Sequence, residues 1–142
     1  MRRAFFIPFA VLVLLGTGCA MMQVYVEPLD KSGKEYPEVD PEDVRVYKSE
    51  KSAPQGAKRL AELEVSVAGD LGDNEGYWEK VVLRLKKEAG ALGANGLILG
   101  KRKLPDGGRV AASILVGVPA ESSLTAIAIL AKSPAKKQNQ KP

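Results

Sequence analysis

Residues 61–67 read AELEVSV, and residues 75–99 read EGYWEKVVLRLKKEAGALGANGLIL. In the first stretch Ala61, Leu63, Val65 and Val67 alternate with Glu62, Glu64 and Ser66, the period of a strand buried on one face. In the second, Trp78, Val81, Val82, Leu85, Ala89 and Leu92 fall within one stripe about 100° wide, the width of a core-facing helix surface. Asp73 or Asn74 supplies the N-cap. Gly93 ends the helix in a left-handed conformation, and Asn95 and Gly96 suit the next positive-φ positions. Leu97, Ile98 and Leu99 then form a strand covered on both faces. Strand, helix and strand in this order predict a crossover between two strands that run parallel in one sheet.

Outward from this unit, Val44-Arg45-Val46-Tyr47 alternates as a strand, and a turn at Pro54-Gln55-Gly56 makes it an antiparallel hairpin neighbour of the 61–67 strand. On the other side Pro105-Asp106-Gly107-Gly108 signals a hairpin. Val110 to Val118 and Leu124 to Ala131 read as two further strands. The prediction is an α+β domain over residues 44–131: two layers, a mixed sheet of about five strands, one long helix on one face, in the order β-β-α-β-β-β. Residues 22–43 contain Pro28, Pro37 and Pro41 and show no period beyond Val24-Tyr25-Val26. Residues 19–43 therefore read as a polar, semi-extended tether. Residues 132–142, KSPAKKQNQKP, read as a basic disordered tail.

The chain has 142 residues, 45% hydrophobic and 27% charged, with no histidine and one cysteine, Cys19. Histidine-based catalysis, histidine-ligated zinc, CxxC redox chemistry and an intramolecular disulfide are all excluded. No cofactor or metal site is expected.

Residues 1–19, MRRAFFIPFAVLVLLGTGC, place Arg2 and Arg3 before an uncharged run from Ala4 to Leu15 and then small residues before Cys19. The run is shorter than the ~20 residues a spanning helix needs. The stretch resembles the bacterial lipoprotein signal, which implies removal of residues 1–18 and lipidation of Cys19. Several acyl chains on one cysteine make attachment effectively permanent, where one is marginal. Ala20 after the cysteine resembles lipoproteins sent to the outer membrane of Gram-negative bacteria, which implies its periplasmic face. Arg2 and Arg3 account for half of the formal net charge of +4, so the basic balance is no argument for nucleic acid.

Four stretches are similar to a group of small bacterial domains that includes the Rcs envelope-stress sensor lipoprotein (RcsF) and YbjQ-like proteins. They are residues 36–47 (YPEVDPEDVRVY), 61–65 (AELEV), 85–98 (LKKEAGALGANGLI) and 125–129 (TAIAI). The resemblance covers about residues 36–131, and LGAN is its most specific part. The sensor likeness implies a lipoprotein that signals through protein contacts. That sensor's disulfides have no counterpart here, because no cysteine follows Cys19. The YbjQ likeness implies oligomer formation and a metal link that no His or Cys cluster here supports.

Few residues carry a candidate site. Glu62 and Glu64 share a strand face at ~7 Å, within reach of paired-carboxylate chemistry. Without a second partner they read as the solvent face of a strand, and no catalytic residue is assigned. Lys101, Arg102 and Lys103 form a basic run at a strand end, either a contact for anions or a charged terminus that discourages edge pairing. Leu83 stands among Glu79, Lys80, Lys86 and Lys87 on the outer helix face, a candidate contact for another subunit or partner. The expectation is an envelope lipoprotein held to the membrane through Cys19. It acts without catalysis as a protein-binding, sensory, adaptor or structural module. The alternative is an anion- or envelope-polymer-binding module built on Lys101, Arg102, Lys103 and the tail.

Overall fold

The computed structural model of the chain describes residues 22–69, 71–72, 74–117 and 119–132. The leader with Cys19, Asp73 and the tail beyond Lys132 lie outside the described residues. The strands are β1 (Met22–Pro28), β2 (Arg45–Tyr47), β3 (Lys58–Ala68), β4 (Gly96–Lys103) and β5 (Glu121–Leu130). Helix α1 (Glu75–Ala91) joins β3 to β4, and α2 (Gly107–Val116) joins β4 to β5. The strands form one mixed sheet in the order β1-β3-β5-β4-β2, and α1 packs on one face. The α+β, two-layer architecture expected from the sequence is the one observed.

The alternation in β3 does what its period demands. Ala61, Leu63, Val65 and Val67 are buried, and they meet Trp78, Val81, Leu85 and Ala89 of α1 in one core with Leu124, Ala126 and Ala128 of β5. Asn74 is the N-cap of α1, its side chain accepting the Tyr77 N–H at 3.1 Å. At the other end Gly93 has φ +81°. The Gly93 N–H donates to the Gly90 carbonyl, and the Ala94 N–H donates to the Ala89 carbonyl. This bond pair is a Schellman closure. Strands β3 and β4 do run parallel to each other, because both pair antiparallel with β5, which lies between them.

Three expectations are corrected. Residues 22–28 belong to the sheet rather than to a tether: β1 pairs antiparallel with β3 from Met22 opposite Val67 to Pro28 opposite Ala61. Met22 and Val24 turn partly inward while Gln23 and Tyr25 face water, and Pro28 falls at the end of an edge strand, where its missing N–H is tolerated. Second, β2 is no hairpin partner of β3; it lies at the far edge, parallel to β4, with Val46 opposite Leu97. Third, residues 107–116 are helical, not a strand. The Asp106 side chain accepts the Arg109 N–H at 2.7 Å as an N-cap, and Gly117 closes the helix at φ +71°. Caps at both ends outweigh the β-branched content of the segment. The described residues thus carry five strands, as expected, with a second helix where a strand was expected and an additional strand at the N-terminal side.

Residues 29–43 do not dangle either. The Leu29 and Asp30 N–H groups both donate to the Leu60 carbonyl, at 2.9 and 3.1 Å, and the Val39 N–H donates to the Gly90 carbonyl at 2.9 Å. The segment crosses the C-terminal end of α1 as a strap. A Cβ on Gly90 would collide with the Val39 carbonyl oxygen, and one on Gly93 with Tyr36 Cβ. Both glycines are therefore demanded by the close approach of the strap, and Gly93 by its backbone angle as well.

Candidate interaction surface

Leu83 is 49% exposed on α1. It lines a shallow groove of about 310 Å³ with Trp78, Val82, Lys86, Glu75, Glu79 and Arg102. The sequence singled out Leu83 and Arg102 separately; the structure brings them to one site. Arg102 lies opposite Leu124 on the face of the sheet that carries α1. Its guanidinium meets the Glu75 carboxylate at 2.9 and 3.3 Å and stacks 4.7 Å from the centroid of the Trp78 ring. That hydrogen-bonded guanidinium holds the Glu75 carboxyl below its ordinary value. Trp78 itself is anchored from below, its indole N–H donating to the Gly72 carbonyl at 3.1 Å. The groove thus has an apolar floor, one half-exposed leucine and a charged rim, the anatomy of small protein-contact sites.

The three consecutive cations do not converge. Lys103, opposite Ser123, points to the other face of the sheet, where it lines a cleft of about 480 Å³ with Glu64, Ser66, Arg109 and Glu121, and Arg102 reaches the margin of this cleft as well as the Trp78 groove. Lys101 falls in the register irregularity between Leu99 and Arg102 and is exposed. Alternation along the strand turns Lys103 away from the Trp78 groove, which Arg102 alone of the three reaches. The same cleft takes in Glu64 but not Glu62, so the two carboxylates are not gathered into one site.

At the far end of α1, Asp30 accepts from Lys58 at 2.7 Å and from the Tyr36 hydroxyl at 2.9 Å, and Lys58 also donates to Tyr36 at 2.6 Å. The Lys58 ammonium, with Ser32, holds the Asp30 carboxyl well below the usual carboxylate range, and Asp30 in turn raises Lys58. This triad ties the strap to β3. It is structural.

The sequence reading missed α2. Ile114, Leu115 and Val116 are 78%, 86% and 73% exposed, and no residue of the helix is buried. Asp106, three residues before Arg109 and just ahead of two glycines, was the available signal for a capped helix; the same residues also spell a hairpin turn.

No family model and no curated protein matches the chain. Among solved structures, the chain is similar to the crystal structure of FvfA, a Francisella virulence factor. The match has a TM-score of 0.54 at 20% identity and covers 76% of this chain and 97% of that one. At that identity the likeness concerns the fold alone.

Proposed function

We propose that the chain is an envelope lipoprotein, anchored through Cys19, whose domain works by binding another protein and has no chemistry of its own. The observation that carries this reading is the groove in which Leu83, Trp78 and Arg102 meet. Its leucine is half exposed, its aromatic floor is held rigidly by Gly72 and Arg102, and charge is confined to the rim. Rigid aromatic and arginine groups beside an uncovered aliphatic are what contact sites use, because little side-chain entropy remains to be lost on binding. The leader and Cys19, together with the likeness of residues 36–131 to Rcs-sensor and YbjQ-like domains, support an envelope setting. Since β1 begins at Met22, only Ala20 and Met21 separate the proposed anchor from the sheet. The domain then rides against the bilayer rather than at the end of a long spacer.

Cross-linking in native membranes tests the reading. Leu83→Asp should keep its circular dichroism and lose its cross-linked partners; unchanged partners would remove the groove from the account. Cys19→Ala should leave the membrane fraction or stay unprocessed, and unchanged mass and sedimentation would refute lipidation.

A further inference from the structure

We propose that α2 is a bilayer-docking helix whose exposed apolar side chains at its C-terminal end, Ile114 and Leu115 with Val116 beside them, rest in the headgroup–acyl boundary of the membrane that holds Cys19. The inference rests on the anchoring reading above and goes beyond it. Three consecutive large apolar side chains, each at least 73% exposed, are far outside the scatter of single exposed leucines such as Leu83. Arg109 is the one charged residue in α2, and the helix is closed at both ends by Asp106 and Gly117. Among the described residues it is a finished element without a cover.

What covers it follows from where the chain enters the sheet. Met22 pairs with Val67, and Val67 pairs with Ser122, so the start of β1 and the start of β5 lie side by side across β3. Two strand spacings put Met22 about 10 Å from Ser122. Helix α2 ends at Val116, just ahead of β5, and Cys19 precedes Met22 by three residues, a reach of at most ~11 Å. The anchor and the apolar helix therefore share one end of the sheet; Pro28, Lys58 and Leu130 mark the other. A bilayer gripped by the acyl chains is within reach of α2 without any rearrangement. None of the described helices is long and apolar enough to cross a membrane, and ten residues, about 15 Å, suit a helix lying in the interface plane. Lys103 and Arg109, in the cleft at the base of α2 with Glu64 and Glu121, stand at headgroup depth.

The test uses the full lipidated chain, purified from membranes and reconstituted into phosphatidylethanolamine–phosphatidylglycerol vesicles. Lipidation of Cys19 leaves no other thiol, so Leu115→Cys can carry a polarity-sensitive fluorophore alone. Lys87→Cys, near the opposite end of α1, is the reference. Quenchers on the acyl chains should quench the label at position 115 at least threefold more than at 87, with a blue-shifted emission. Ile114→Cys should repeat the result. Equal quenching at 115 and 87 in vesicle-bound protein would overturn the docking alone. Shielding at 115 without lipid quenching, together with disulfide-linked dimers when the unlabelled Leu115→Cys chain is oxidised, would overturn it in favour of a second copy. A wild-type chain that fails to sediment with vesicles would overturn the anchoring reading and the docking with it.

Discussion

The carboxamide of Asn95 exchanges two hydrogen bonds with the backbone of Ala131: Nδ2–H donates to the Ala131 carbonyl, and Oδ1 accepts the Ala131 N–H, both at 2.8 Å. One side chain after α1 thus closes the end of β5, as another strand would. Asn95→Ala leaves two part-buried backbone groups unpaired and should cost about 1–3 kcal/mol in urea unfolding. Asn95→Asp keeps the acceptor and loses the donor, so it should fall between wild type and Ala. If both variants unfold with the wild type, the clamp contributes nothing.

The strap predicts a contrast between glycines. Gly56 and Gly93 both have positive φ, but a Cβ at Gly56 meets open space while one at Gly93 meets Tyr36. Gly56→Ala should cost about 1–2 kcal/mol from backbone angle alone. Gly93→Ala should cost more, and amide exchange should rise at Val39, whose N–H the strap shares with Gly90. Equal costs would mean that the strap yields freely.

The Asp30–Lys58 pair predicts a pH signature. Asp30 titrates lower in the folded chain than its unfolded value of about 3.9, so its contribution is complete above roughly pH 5 and fades as pH falls through the folded value. Lys58 is raised, so its part is present below about pH 10 and is lost as pH climbs through the raised value. Asp30→Asn should lower the thermal midpoint at pH 7 and approach wild type near pH 2. A constant difference across that range would show that the hydrogen bonds matter and the charge does not.

Helix α1 offers two leucines of one type in two settings. Leu85 is fully buried, and Leu85→Ala should cost about 2–5 kcal/mol. Leu83→Ala should stay within about 0.5 kcal/mol, since the side chain is half exposed. Chemical denaturation monitored through Trp78, the single tryptophan, checks both. Arg102→Ala should itself shift that emission to longer wavelength by uncovering the ring.

The sequence carried the fold where side-chain period and burial agree. The β3 alternation, the α1 stripe and the Gly93 closure could be read directly, since each depends on neighbours a few residues apart. It failed where the deciding interaction is distant or ambiguous. Met22 and Val24 look like scattered apolar residues until Val67 and Val65 stand opposite them. Gly96 was expected at positive φ, yet it lies in β4, where a Cβ would press on Ile129 and Tyr47. The Asp106-Gly107-Gly108 turn chemistry serves a helix start as well as a hairpin. Of the interaction surface, Leu83 and Arg102 were legible singly. Their meeting over Trp78 depended on the β4 register, which no local pattern encodes.

The pairing of β1 has a mechanical side. Met22 and Leu130 lie at opposite ends of the sheet, joined through β3 by antiparallel partners running from Met22–Val67 to Lys58–Leu130. A pull applied between those two points runs along the strands, so the hydrogen bonds between β1 and β3 are loaded together in shear rather than peeled one after another. Tension along that line is borne by the whole ladder.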